Sequence, residues 1–204
     1  MTPALPRVHA VTDDHIAALP NLVDLARAIV AAGPVAVHLR AAGLPGAALL
    51  ALARQLHGAM SGTASRLIVN DRADLARLSG ACGVHLPEQG LPIAAARGLL
   101  DAGTTGGRSV HSAEDARRAA RDGADYVFLG PIWETPSHPR RAPLGLDAIA
   151  AAAPARVIAI GGVTPERARA CHDAGAYGVA AISAIWDAAN PAAAVKAMLL
   201  SFEA

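Results

Sequence analysis

Short apolar runs rich in β-branched residues alternate along the chain with longer alanine- and leucine-rich stretches of helical period. The runs are Val8–Val11, Val35–Leu39, Leu67–Val69, Gly83–Leu86, Gly107–Val110, Tyr126–Leu129, Val157–Ile160 and Gly178–Ile182. Most lack the polar alternation of a half-exposed strand, which is the pattern of strands covered on both faces in a parallel sheet. Between them the spacing predicts helices over Leu22–Ala31, Pro45–Ala59, Ile93–Leu100, Ala113–Arg121, Leu146–Ala152, Pro165–Asp173 and Pro191–Phe202. Gly-Ala ahead of a strand recurs at Gly80-Ala81, Gly123-Ala124 and Gly175-Ala176. Each glycine can end a helix in the left-handed conformation, and the alanine opens the next buried strand. Eight strands with intervening helices and a closing helix predict an α/β fold, a single (β/α)8 TIM barrel forming one domain over residues 1–204. The rival is a doubly wound sheet, which differs by a switch in strand order.

Composition narrows the function. The chain has 204 residues, near the lower end for such a barrel but long enough to bury one core. Apolar residues make up 53%, yet the excess is mostly alanine, and no window of about 18 residues escapes charged or polar interruption. No secretory signal is evident. The formal net charge of +1, without a block of like charge, and an aromatic content of 3% argue against nucleic acid and membrane surfaces as partners. Cys82 and Cys171 lie far apart without metal-type spacing, and read as the buried thiols of a cytoplasmic protein. There is a single lysine, Lys196, in the last helix.

In a barrel, polar residues just past the strand ends are the functional candidates. This chain offers Thr12-Asp13-Asp14, His38, Arg40, Asn70-Asp71, His85, Ser109, His111, Ser112 and the proline-rich loop Glu134–Gly145. Gly161-Gly162 after the seventh strand and Ser183 after the eighth stand where barrels bind phosphate, the glycines letting backbone N–H groups approach a ligand. The plain alternative is a tight turn, with Thr164 capping the helix that opens at Pro165. Asn70-Asp71 reads either as a cation site or as a helix N-cap. His111 reads as a general acid/base near pH 7, or as a solvent-facing residue beside a capping Ser112. His38 and His85 are expected to be packed and hydrogen-bonded, and His138 exposed in its loop. Arg40 is either an anion clamp or half of a buried ion pair.

These segments resemble the thiamine phosphate synthase/TenI superfamily over nearly the whole chain. The matching stretches include His9–Asp14, His38-Leu39-Arg40, Val69–Ala76, Gly83–Leu86, Gly107–Ser112, Ala124–Val127, Gly130–Pro136, Ala159–Gly162 and Ala181-Ile182-Ser183. The resemblance implies a barrel that handles thiazole phosphate in thiamine biosynthesis. A synthase joins a pyrimidine diphosphate to that thiazole phosphate, and its strand-two motif Gln-x-Arg-x-Lys reads here His38-Leu39-Arg40-Ala41-Ala42. Of the two aspartates that hold Mg²⁺ in a synthase, Asp71 matches the first, and the second falls at Gly90. The Thr-x-Thr-Lys loop reads Thr135-Pro136-Ser137-His138. Diphosphate departure needs cationic groups or metal to neutralise developing charge, so these losses are expected to slow it by several orders of magnitude.

The thiazole-phosphate end is retained, and that pattern suits TenI, the thiazole tautomerase branch, whose task is proton transfer without a metal. Its histidine after strand six falls at Pro131 here, so His111 and His138 become the candidate catalytic groups. Arg40, Asn70, Ser109, Thr135, Ser137, Gly161, Gly162, Ile182 and Ser183 are the expected substrate contacts. The alternative is a divergent synthase using Mg²⁺ on Asp71, with Glu88 as a displaced ligand and Arg140 or Arg141 in place of the lysines. A third reading is a non-catalytic thiazole phosphate-binding protein. The family often dimerises, so a homodimer is an expectation of the resemblance.

Overall fold

The computed structural model describes residues 4–136, 139 and 141–203. Its strands are β1 (Val8–Val11), β2 (Val35–Leu39), β3 (Arg66–Asn70), β4 (Gly83–Leu86), β5 (Thr105–Val110), β6 (Tyr126–Leu129), β7 (Val157–Ile160) and β8 (Gly178–Ala181). Each pairs in parallel with the next, and β8 closes on β1. The chain is therefore a single (β/α)8 TIM barrel, and the doubly wound alternative is excluded by the closed order β1 to β8.

The helices that wrap it are α1 (Asp14–Ala17), α2 (Leu22–Ala31), α3 (Gly46–Ala59), α4 (Ala73–Ser79), α5 (Ile93–Arg97), α6 (Ala113–Arg121), α7 (Asp147–Ala151), α8 (Pro165–Asp173), α9 (Ser183–Trp186) and α10 (Pro191–Leu200). Gly80, Gly123 and Gly175 do end helices at positive φ, 74°, 95° and 97°. Three helices go beyond the sequence prediction. α1 and α9 are single turns, and α4, at seven residues, is about two turns and falls short of the window of about 11 residues over which helical period is read. Strand β5 also begins two residues before its predicted start. The added residues are held in place as the Gly106 N–H donates to Asp125 Oδ2 at 2.7 Å and Gly83 pairs with Thr105.

Alternation along each strand sorts the core into two shells. Val8, Ala10, Val35, Val37, Leu39, Leu67, Val69, Val84 and Leu86 face outward into the alanine- and leucine-rich helix layer. His9, His38, His85, Tyr126 and Phe128 face inward. Their rings meet across the lumen although β1 and β6 are not neighbours: His9 and Tyr126 centroids lie 5.4 Å apart, and His85 and Phe128 4.1 Å. Gly107 makes room for this filling, since a Cβ there would sit 2.1 Å from the Tyr126 ring. Both cysteines are free, and burial pushes the Cys171 thiol up to about 12. Among the described residues no helix is long and apolar enough to cross a membrane.

Candidate functional site

The C-terminal mouth is built from two arcs. In the first, β6 through β8, the long loop leaves β6 at Gly130 and folds back onto its own start. Leu144 N–H donates to Pro131 O at 2.8 Å and Gly145 N–H to Ile132 O at 3.1 Å. The loop then packs on the turn after β7. Gly161 and Gly162 both have positive φ, 91° and 67°. A Cβ on Gly161 would lie 2.6 Å from Pro131, and one on Gly162 2.7 Å from the Trp133 Cβ and 2.8 Å from Glu134 O. The glycine pair is thus required by loop packing as well as by backbone conformation. Arg167 fastens the contact, with its guanidinium 5.0 Å over the Trp133 ring and Nη1 donating to Gly162 O at 2.6 Å.

The register pairs Ile160 with Ala180, and continuing it two residues sets Gly162 beside Ile182. Ser183 follows at the start of α9, where Ile182 O accepts from the Ile185 and Trp186 N–H groups. Among the described residues the Gly162 and Ser183 N–H groups have no hydrogen-bond partner. They present adjacent donors of the kind that hold a phosphate. Thr164 stands at the N-cap of α8 without a side-chain capping bond, and its hydroxyl engages Glu166 instead.

The second arc, β1 through β5, is polar down to its floor. Pro6 O can only accept, so His9 Nε2 at 3.1 Å carries a proton. His9 Nδ1 is then an acceptor, and the 2.8 Å contact to His38 Nε2 makes that nitrogen the donor. His38 Nδ1 is left as a buried acceptor. Asn70 interacts with His38 there, but neither His38 Nδ1 nor Asn70 Oδ1 has a fully formed hydrogen bond. Turning the Asn70 amide so that its NH₂ meets Nδ1 completes the chain. His85 bridges the Tyr126 hydroxyl at 3.1 Å and Ser109 Oγ at 2.9 Å. Burial pushes His9 and His85 down to about 3, and burial with the neighbouring His9 and His85 holds His38 well below its ordinary value. All three are neutral in the working range, as packed, hydrogen-bonded residues.

Above this floor, Thr12 ties β1 to β2. Its Oγ1 donates to Arg40 O and accepts from Arg40 N–H, both at 2.9 Å. Arg40 itself is exposed, and among the described residues it forms no ion pair, which removes the buried-pair reading. Asn70-Asp71 does not cap a helix. The N-cap of α4 is Arg72, and no side-chain cap bond is made. Asp71 instead has φ 62°, rare for a residue with a side chain, held by its N–H on His85 O and by Arg72 N–H on Asn70 O, each at 2.8 Å. Its carboxylate is exposed and free of hydrogen bonds or salt bridges among the described residues.

His111 joins the arcs. Its Nδ1 donates to Gly130 O at 2.5 Å, and its Nε2 lies 3.6 Å from Glu88 Oε2. Arg141 Nη2 reaches the same oxygen at 3.8 Å. Ser112 is the cap of α6, accepting from Asp115 N–H at 3.0 Å. His111 is therefore partly covered and oriented, contrary to its solvent-facing alternative. Thr135 is half-buried in the loop. Ser137, His138 and Arg140 lie outside the described residues. His9 and Tyr126 belong to the floor and were not singled out from sequence. The signal was that His9, like His38 and His85, breaks an otherwise apolar strand. Among the described residues no group of three His, Cys, Asp or Glu side chains could hold a metal by itself.

A family model described as thiamine monophosphate synthase matches residues 8–185. The thiamine-phosphate synthase of Anaeromyxobacter dehalogenans is 41% identical over 186 residues, covering 89% of this chain and 83% of that one. That of Roseiflexus castenholzii is 38% identical over 195 residues, covering 94% and 86%. Among solved structures, a thiamine phosphate pyrophosphorylase from Pyrococcus furiosus superposes with a TM-score of 0.82 at 25% identity, covering 97% of this chain and 95% of that one.

Proposed function

We propose that this chain, which belongs to the thiamine monophosphate synthase family and so is an enzyme of thiamine biosynthesis, is a divergent thiamine phosphate synthase. It couples hydroxymethylpyrimidine diphosphate to thiazole phosphate and releases pyrophosphate. The observation that carries this reading is that relatives named thiamine-phosphate synthase resemble it at 38–41% identity over most of both chains. The tautomerase expectation from the missing lysines gives way to it. Loss of those lysines is a local departure, whereas the resemblance runs from end to end.

The mouth supports the division of labour. Gly162 and Ser183 offer paired backbone N–H groups to the thiazole phosphate, with Gly161 and Ile182 shaping the turn. The diphosphate belongs on the opposite arc, where Arg40, with Arg141 reaching over from the β6 loop toward Glu88, supplies the charge that lysine supplies in the family pattern. Arginine can do this bidentately. Mg²⁺ commonly keeps several waters and takes one or two carboxylates besides substrate phosphates. A single outward carboxylate at Asp71, with substrate oxygens completing the shell, fits that demand. Bound there, the metal would neutralise charge on the departing diphosphate. Asn70, beside His38 at the end of β3, lines the pyrimidine side.

The test is Mg²⁺-dependent formation of thiamine phosphate and pyrophosphate from the two substrates. Asp71→Asn is expected to lower kcat/KM at least about 100-fold while leaving the fold intact. A second reading rests on His111, whose Nδ1–H is fixed by Gly130 O and whose Nε2 faces Glu88. That is the layout of a general acid/base for tautomerisation. Metal-free aromatisation of thiazole carboxylate phosphate, at least tenfold slower in His111→Gln and with no coupling activity, would replace the synthase reading with this one.

A further inference from the structure

The opposite end of the barrel holds a site of its own. Around the N-terminal ends of β3, β5 and β7 lies a cavity of about 350 Å³, lined by Leu5, Arg66, Arg97, Thr105, Asp125 and Arg156 among others. Arg66 opens β3 and turns its side chain inward, where it is only 5% exposed. Its Nη1 donates to Thr105 Oγ1 at 3.1 Å, and its Nη2 is buried with no hydrogen-bond partner. Among the described residues no carboxylate lies within ion-pair distance of it. A guanidinium stays protonated, so this is a buried positive charge without a counter-ion.

The neighbours add to that charge. Among the described residues Asp125 is the one acidic residue lining the cavity, and it is already engaged by Arg97 Nη2 at 2.7 Å and by the Gly106 N–H at 2.7 Å. Arg97 and Asp125 therefore neutralise each other, which leaves Arg66 and Arg156, the latter 4.8 Å over the Tyr177 ring, as guanidiniums without a carboxylate among the described residues. Burying a charge is unfavourable unless an opposite charge or a full set of hydrogen bonds compensates it. Nη2 is shut off from solvent, so water supplies it neither an acceptor nor a charge. An oxyanion brings both, and arginine forks match tetrahedral oxygens bidentately.

We infer that the cavity at the N-terminal end of the barrel, built by Arg66, Thr105 and Arg156, binds a small oxyanion of the phosphate class, separately from the mouth. The cavity has room for a phosphate monoester as well as for inorganic phosphate. Because its ligands come from β3, β5 and the residue just before β7, occupancy would cross-link distant strands and raise stability by mass action.

The full-length protein is titrated with inorganic phosphate by calorimetry, and thermal unfolding is followed in parallel. Two phosphates per chain are expected, one at each end. Arg66→Gln is expected to weaken one of them at least tenfold and to shrink the phosphate-induced rise in Tm. Gly162→Ala, at the other end, should leave that class of binding intact. If Arg66→Gln does not fold, Arg156→Gln, at an exposed position, is read in its place, with about a fivefold weakening expected. Unchanged phosphate stoichiometry and affinity in whichever of the two arginine variants folds overturns the inference. So does a wild type that binds phosphate only at the mouth.

Discussion

The two arcs of the mouth reach their functional geometry by different physics. The β6–β8 arc is fixed by packing. Its floor is apolar, with Phe128, Ile158 and Ala180 in one buried cluster. Its loops interlock so closely that neither Gly161 nor Gly162 has room for a methyl group. The β1–β5 arc is fixed by hydrogen bonds. Its floor is a chain of neutral histidines, and its rim carries Arg40, Asp71 and Glu88 as exposed or half-exposed charges, with Arg141 reaching Glu88 from the β6 loop. A packed arc tolerates almost no substitution, because steric demand is met by one residue type. A rim of solvated charges can be rewritten, because charge acts through several ångströms. This accounts for where the chain departs from the family pattern. The departures at Ala42 and Gly90 both concern charges of the polar arc, while the glycine pair and Ser183 remain.

Gly162→Ala breaks the packed arc and carries the largest expected effect. The added methyl meets Trp133 and Glu134 O and forces that loop away from the turn. We expect kcat/KM for thiazole phosphate to fall about 100-fold, which is about 2.7 kcal/mol, and unfolding stability to drop by about 2 kcal/mol. Steady-state kinetics and urea unfolding measure the two. A drop in stability with unchanged thiazole phosphate kinetics would mean that the glycines serve packing alone.

The polar floor predicts a pH dependence next in size. His9 and His85 are held down to about 3, and His38 well below its ordinary value, whereas each returns to about 6.5 when unfolded. The unfolded chain therefore binds more protons as the medium is acidified. Their contribution is fully present above about pH 6.5 and is lost as pH falls toward about 3. Between pH 7 and pH 6, above the carboxylate range, the three together should lower stability by about 2 kcal/mol. Urea midpoints across that interval measure it, and His85→Gln should remove about a third of the slope. A flat profile would mean that the floor histidines already titrate in the folded state, and the contrast between the arcs would lose its basis.

How much of this was legible follows the same divide. Strands β1, β2, β4, β6 and β7 match their predicted ends because buried parallel strands announce themselves as apolar runs. The approach of the Gly161-Gly162 turn to Ser183 was legible because both sit at fixed offsets from such runs. The histidine floor was only half visible. His38 and His85 read as packed residues, but only barrel closure brings His9 against His38 and Tyr126. Asp71 was visible as a carboxylate after a strand, but its left-handed backbone is set by His85 O on the next strand, which no local pattern reports. Arg66 was invisible for the same reason, since its partner Thr105 lies 39 residues away.

The smallest expected effect belongs to the rim. Arg141 reaches Glu88 at 3.8 Å, with both side chains over 40% exposed, so water and salt screen it and its removal should leave stability unchanged. On the synthase reading its charge still bears on an incoming diphosphate, which carries far more negative charge than Glu88. Arg141→Ala is therefore expected to raise the KM for hydroxymethylpyrimidine diphosphate about fivefold, close to 1 kcal/mol, with the KM for thiazole phosphate unmoved. The penalty should shrink as salt rises from low to physiological strength, because a screened rim charge acts mainly on encounter. A rise in the thiazole phosphate KM instead would place Arg141 with the packed arc. The β6 loop that carries it would then serve both substrates at once.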